Sequence, residues 1–329
     1  MDVTELLDGL NPAQREAVAA EPGNALILAG AGSGKTRVLV HRIAWLIRAE
    51  GFSPQALLAV TFTNKAAKEM RGRIESMLGL STHGFWVGTF HGLAHRLLKA
   101  HWREAGLQQN FQILDSDDQL RLVKRIVKEL GLDDGRWPPK QIQGFINAQK
   151  DEGLRAKHID TSGDFYLQTM VKAYRAYEEA CERSSLVDFA ELLLRAHELW
   201  LNHPTLLKHY QNRFRHILVD EFQDTNTVQY AWLRVLAGAQ IPVMAVGDDD
   251  QSIYGWRGAK IENIQRFSQD FSDTQTIRLE QNYRSTQIIL KAANGVIDNN
   301  FGRLGKDLWT EGDEGEKIDL YAGFNEHDE

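Results

Sequence analysis

The stretch Ala29-Gly30-Ala31-Gly32-Ser33-Gly34-Lys35-Thr36 constrains this chain more than any other. Before it, Ala25 to Leu28 is an apolar run suited to a buried strand; after it, Arg37 to Ile47 repeats apolar residues at helical spacing. Strand, glycine loop and helix in that order turn backbone N–H groups inward at a helix N-terminus, which is a cradle for phosphate oxygens. Lys35 is placed to reach the outer phosphates and the Thr36 hydroxyl to ligate a metal, so the expected ligand is a nucleoside triphosphate with Mg2+. One position departs from the strict pattern. Ala29 stands where a first glycine is usual, which fits if that position needs a small side chain and not a positive φ.

The 329 residues are too many for one small core and predict about two domains. With 43% apolar and 25% charged residues the chain is globular, neither disordered nor fibrous. Its one cysteine, Cys181, excludes an internal disulfide and a cysteine zinc cluster, and fits a reducing, cytoplasmic setting. No apolar run is long enough for a membrane helix, and Met1 to Leu10 lacks the basic start of a secretion signal, so neither secretion nor membrane insertion is expected. The net charge of −7 lies in the tail, where Glu311 to Glu329 sets eight acidic residues against one lysine. Thr61 to Arg103 is the reverse, with seven Lys and Arg against two Glu, and can present a local positive face to phosphates.

Asn11-Pro12 opens a helix, with Asn11 as cap. Gln14 follows, and its carboxamide matches the N7 and N6 edge of adenine; by itself it reads equally as a helix surface residue. Leu57 to Val60 is a second strand running into Thr61-Phe62-Thr63-Asn64-Lys65, where Phe62 either stacks on a base or is buried at a strand end. Phe85 to Val87 is a third, leading to Gly88-Thr89-Phe90-His91. His91 and His95 are four apart but lack a third ligand, so one is expected on a nucleic-acid backbone and the other packed.

From about Leu93 to Arg215 the strand signal disappears, and amphipathic stripes such as Leu120, Val123, Ile126, Val127 and Leu130 predict an inserted helical block. Within it Leu186-Val187-Asp188-Phe189 precedes a helix that Asp188 can cap. The sheet resumes at His216 to Val219, which ends in Asp220-Glu221, a pair suited to holding Mg2+ and activating water. Val243 to Val246 delivers Gly247-Asp248-Asp249-Asp250-Gln251, then Tyr254, Trp256 and Arg257. These offer a sensor for the outer phosphate beside flat rings and a positive charge. Thr276 to Leu279 leads to Tyr283-Arg284, an aromatic and a cation for base and transferred phosphate.

Together these blocks resemble the UvrD/Rep/PcrA family of superfamily 1A DNA helicases. The resemblance is carried by Gln14, AGAGSGKT at 29 to 36, TFTNKAA at 61 to 67, GTFHGLAHRLL at 88 to 98, LVDFAEL at 186 to 192, VDEFQDTN at 219 to 226, GDDDQSIYGWRGA at 247 to 259 and LEQNYRS at 279 to 285. It implies an α/β fold, a RecA-like P-loop NTPase parallel sheet with helices on both faces plus an inserted all-α subdomain. The implied division is 1–89 with 215–280, an insertion at 90–214, and at 281–329 the truncated start of a second RecA-like domain with an acidic tail. The family roles carry Gln14 to adenine, Arg37 and Tyr283 to the base, and residues 29 to 36 to ATP, with Thr36 and Asp220 on Mg2+. Lys35, Asp220, Glu221 as base, Gln251 on the γ-phosphate and Arg284 as arginine finger form the implied catalytic set. Thr61, Phe62, Asn64, Phe90, His91, Phe189, Tyr254, Trp256 and Arg257 are the implied DNA contacts. The resemblance further implies 3′ to 5′ movement on single-stranded DNA and at junctions with duplex, a role in excision and mismatch repair, and repair proteins as partners.

The family's pattern continues past Glu329, so the chain reads as the N-terminal portion of a helicase, with weak or no turnover expected of it alone. Two other readings stand beside this one: an ATP- and DNA-binding module without turnover, and a small-molecule kinase built on the same loop.

Overall fold

A computed structural model describes residues 4–325, apart from the Arg257 side chain. Six strands form one sheet: β1 (Ala25–Ala29), β2 (Leu57–Thr61), β3 (Trp86–Thr89), β6 (His216–Val219), β7 (Val243–Gly247) and β8 (Gln275–Leu279). Their spatial order is β3-β2-β6-β7-β1-β8, and every pairing is parallel. Each of the six strands predicted above supplies one of them. Short runs without polar alternation suit parallel strands covered on both faces, and edge strand β8 alternates, burying Ile277 and Leu279.

The helices supply that cover. Successive residues of a strand point to opposite sides, so Leu26 and Leu28 join one core while Ala25, Ile27 and Ala29 join the other. The second core is closed by α1 (Pro12–Ala19), α2 (Lys35–Arg48) and α3 (Asn64–Leu78). The first is closed by α4 (Phe90–Ala100), α8 (Phe189–Asn202), α10 (Thr227–Ala237) and α11 (Glu262–Asp270), with Trp200 and Trp232 stacked 6.2 Å apart at its centre. This is a RecA-like arrangement.

The insertion differs from expectation in two ways. It is not wholly helical, because β4 (Gln112–Leu114) and β5 (Leu186–Asp188) pair in parallel as a small second sheet. Three residues per strand are too few for a period to show in sequence. The 90–214 boundary also shifts. A third core contains Leu122, Val123, Ile126, Ile142, Ile146, Tyr174 and Tyr177, from α5 (Ser116–Glu129), α6 (Pro139–Asp151) and α7 (Phe165–Ser184). The apolar faces of α4 and α8, together with Tyr210 on α9 (Pro204–Arg213) and Phe214, belong to the sheet core instead. The last helix, α12 (Gln287–Ile297), follows the Tyr283-Arg284 turn.

All six strands run the same way, so the segments after β1, β2, β3, β6, β7 and β8 emerge along one carboxyl edge of the sheet. Ligands of open α/β sheets bind there.

Candidate active site

The glycine loop turns on Gly32 at φ +70° and Gly34 at φ +87°, the left-handed region that glycine enters without penalty. Gly32 also has no room for a side chain, since a Cβ would lie 2.6 Å from Asn282 Nδ2 and 2.7 Å from Arg284 Cβ. Ala29 ends β1, fully buried, so a small residue suffices there. Ser33 is buried and donates to the Gly30 carbonyl at 2.7 Å, while Thr36 is half-buried on the first turn of α2. Gln14, the residue expected at adenine, is 1% exposed; its Nε2 donates to the Ser33 carbonyl at 2.8 Å and its Oε1 accepts from Asn11 N–H, so it buttresses the loop from beneath.

Lys35 opens α2 and reaches across to β6, where its Nζ lies 2.9 Å from Glu221 Oε2. Glu221 adopts φ +49°, rare for a residue with a side chain and a form of strain that collects at functional sites. The same Oε2 accepts from Gln223 Nε2 at 2.8 Å, and Gln223 Oε1 accepts from Asp248 N–H at 3.0 Å. Hydrogen bonds thus run from the loop through β6 to the end of β7. Burial and the neighbouring Glu221 push the Asp220 carboxyl up to about 7, with Lys35 opposing. A buried oxygen donor short of positive charge suits a hard divalent cation, so Asp220 with Thr36 fits Mg2+.

Tyr283 and Arg284 are both exposed at the rim. Tyr283 N–H donates to the Gly32 carbonyl at 2.9 Å, and its hydroxyl receives Asn11 Nδ2 at 2.9 Å and donates to Gln281 Oε1 at 2.9 Å. Arg37 is exposed on the first turn of α2, its guanidinium near Gly9. Gln251 donates through Nε2 to Asp248 Oδ2.

Beyond this edge a cavity of about 390 Å³ opens between the sheet and the insertion. Phe62, Phe90, His91 and Phe189 line it with Gln119, Asn147 and Asn226, and among the described residues its lining holds Asp115, Asp151 and Asp224 but no lysine or arginine. Phe189 is 52% exposed, and His91 meets it edge-on at 6.0 Å. Burial lowers the His91 imidazole to about 4, so it is a neutral ring at pH 7 and not the cation a phosphate contact would favour. His95 packs edge-on against Phe111, and the two histidines form no metal site. Next to the cavity Phe62 stacks on Tyr254 at 5.8 Å and 20°, with Trp256, 74% exposed, 6.4 Å further along.

Two expected DNA contacts are relocated. Thr61 is completely buried at the end of β2, so its side chain supports the rim and does not line it. Phe90 is 3% exposed and packs edge-on to Trp232 at 6.4 Å, showing the cavity only a margin. Asn64 is exposed on the first turn of α3, away from the cavity lining; Arg257 lies outside the described side chains.

Residues 10–272 match the UvrD/REP helicase N-terminal domain, and residues 277–329 match the UvrD-like helicase C-terminal domain. The chain belongs to the UvrD/REP helicase family. It is 67% identical over its whole length to DNA helicase II of Escherichia coli (strain K12), covering 46% of that protein. It is 59% identical to DNA helicase II of Haemophilus influenzae, again covering 46%, and 46% identical to the ATP-dependent DNA helicase PcrA of Bacillus subtilis, covering 44%. The chain therefore spans about half the length of the curated relatives it matches.

In this UvrD/REP chain the site also uses residues that sequence reasoning passed over or saw only as caps. Asn11 ties Tyr283 and Gln281 to α1, Gln223 joins Glu221 to Asp248, and Asn282 supports the glycine loop through the Ala31 carbonyl at 2.5 Å. The last two lie inside the blocks at 219 to 226 and 279 to 285, where their place beside Glu221 and Tyr283 is the signal that points to them.

Proposed function

We propose that the chain binds ATP with Mg2+ at the glycine loop and single-stranded DNA along the neighbouring aromatic cavity, as part of a motor that moves 3′ to 5′ on DNA in repair. The observation that carries this reading is the 2.9 Å pair between Lys35 and Glu221, which draws the phosphate-binding loop and the acidic turn of β6 into one site beside buried Asp220.

Mechanistically, Lys35 starts the cycle neutralised by Glu221. A triphosphate in the loop competes for the ammonium, and once Lys35 turns to the phosphate oxygens, Glu221 Oε2 is left facing the site with only the Gln223 amide on it. That oxygen then accepts a proton from water as the water attacks the γ-phosphorus and ADP leaves. Asp220 and Thr36 would hold Mg2+, which when bound would supply charge neutralisation at the phosphates. Arg284 stands over the loop as the cation for the transferred group, Gln251 reports the γ-phosphate, and Tyr283 offers an open ring to the base. On the DNA side Phe62, His91, Phe189, Tyr254 and Trp256 offer ring faces, which bind bases without sequence preference.

ATP hydrolysis measured with and without a single-stranded oligonucleotide, with Glu221→Gln as the blank, tests this. Turnover stimulated by the oligonucleotide supports a motor. ATP and DNA binding without turnover would favour the binding-module reading, and failure to bind either would sink both.

A further inference from the structure

The one described group of three acidic side chains with oxygen atoms close enough to share an ion is Asp248, Asp249 and Asp250, whose ligand atoms lie within 4.8 Å of one another. Asp248 and Asp249 are buried, and three carboxylates at that spacing repel unless a cation sits among them. The place is taken by Lys306. Its Nζ lies 2.5 Å from Asp248 Oδ1, 3.3 Å from Asp249 Oδ1 and 2.7 Å from Asp250 Oδ2, with the lysine side chain 2% exposed. Arg303 adds a two-pronged contact to Asp250 at 3.0 and 2.9 Å, and Leu304 N–H donates to Asp249 Oδ2 at 2.6 Å. Burial alone would lower the Lys306 pKa, but the carboxylates outweigh it and raise it, so the ammonium stays charged.

These residues come far after the triad in sequence, beyond Tyr283, Arg284 and α12. The strap they belong to, 303–309, touches three walls of the nucleotide site. Residues 303 to 306 hold the triad. Leu308 lies over Gly30, where a Cβ would meet its Cδ2 at 2.1 Å, and Trp309 exchanges backbone hydrogen bonds with Glu280 and Asn282 beside Tyr283. Asp248 is the residue through which this strap reaches the phosphate-sensing side chain: one carboxylate oxygen takes Lys306 and the other takes Gln251.

We propose that Lys306, aided by Arg303, is a positioning residue for the γ-phosphate response: by filling the acid triad it fixes Asp248, and through Asp248 it sets the orientation of Gln251. This rests on the reading of Gln251 as the γ-phosphate contact. Without the ammonium, the Asp248 oxygen that Lys306 held keeps only the Asp250 N–H at 3.0 Å, the carboxylate turns from its neighbours, and Gln251 loses the acceptor that orients it. Leu308 and Trp309 keep their own contacts with Gly30, Glu280 and Asn282, so binding of a nucleotide without a γ-phosphate is unaffected.

The test compares affinities of the chain for Mg2+ with AMP-PNP and with ADP, in wild type, Lys306→Met, Lys306→Arg and Gln251→Ala, after thermal melting has shown each variant folded. The expected result is a fall of about five- to tenfold in the AMP-PNP to ADP preference for Lys306→Met with ADP affinity unchanged, and recovery of most of it in Lys306→Arg. Adding Lys306→Met to Gln251→Ala should lower the preference no further. An unchanged preference, an equal loss for both nucleotides, or additive effects in the double variant would each overturn the assignment. If Lys306→Met does not fold, Asp250→Asn weakens the same cradle from the other side and is judged by the same criteria. A wild-type chain that binds neither nucleotide, or shows no preference for AMP-PNP, would instead overturn the function proposed above and this assignment with it.

Discussion

Lys35, Glu221 and Trp256 separate the two ligands most cleanly. Lys35→Ala removes both the phosphate contact and the partner of Glu221, and should abolish Mg-ATP binding by calorimetry while single-strand binding stays within about twofold. Trp256→Ala should do the reverse, weakening an oligonucleotide about tenfold and leaving nucleotide affinity intact, because a ring 74% exposed stacks on a base and holds no core. Equal loss of both would assign the indole to packing. Asp151 gives a pH signature. Burial, Asp188 and Glu152 push its carboxyl up to about 7, against Asn226 and Lys150. The native chain therefore keeps a proton there that the unfolded chain releases near pH 4, and the associated stability is present at low pH and lost as pH rises through 7. Asp151→Asn should leave stability at pH 3 unchanged and raise it progressively between pH 4 and 7, by about 3 kcal/mol at pH 8, measured by urea unfolding. The sequence placed Lys35 at the start of the helix after the glycine loop and Asp220 at the end of a strand, and both lie there. The contacts of Asn11, Lys306 and Asp151 were not legible in it, because their partners Tyr283, Asp248 and Asn226 are joined to them only by the fold.

At the level of elements, the loop between β1 and α2 tolerates little. Gly32→Ala faces a positive φ and Asn282 at 2.6 Å, so it should lose about 1–2 kcal/mol of stability together with nucleotide binding. Charged side chains bridge the junction between α6 of the insertion and α8 of the sheet core. Lys150 on α6 lies 2.6 Å from Asp188 and 3.0 Å from Glu191, and Arg155 binds Glu191 and Glu198. Tyr177 also donates to Asp188 at 2.7 Å, and Asp188 caps α8 through Glu191 N–H, next to Phe189. Lys150→Met leaves two buried carboxylates short of a partner and should cost about 3 kcal/mol, read from the urea midpoint. The reading of Asp188 as a simple cap captured the bond to Glu191 N–H and missed the lysine, 38 residues away. Five strands of the main sheet were readable as short apolar runs and edge strand β8 from the alternation of Ile277 and Leu279 with polar residues; β4 and β5 are too short to carry a pattern.

For the molecule as a whole, charge and ligand are arranged against simple expectation. Among the described residues the cavity lining has aspartates and amides and no lysine or arginine, a surface better suited to bases than to phosphates. Oligonucleotide affinity should accordingly fall only gently with salt, with a slope in log–log form of about 2 or less, where six phosphate contacts on a single strand would give about 4. A steeper slope would mean that the backbone, not the bases, carries the affinity. The division into domains was only partly visible in sequence, since a helix that follows a strand in the chain and packs on its sheet looks the same on paper as one that starts an insertion. Finally, Thr61 and Phe62 are neighbours on either side of the rim: one is sealed in beside the β6 acidic turn, the other stacks on Tyr254 at the cavity. Adjacent side chains on an extended backbone leave on opposite sides, so a single peptide unit spans the distance between the sealed acidic turn and the open ring surface.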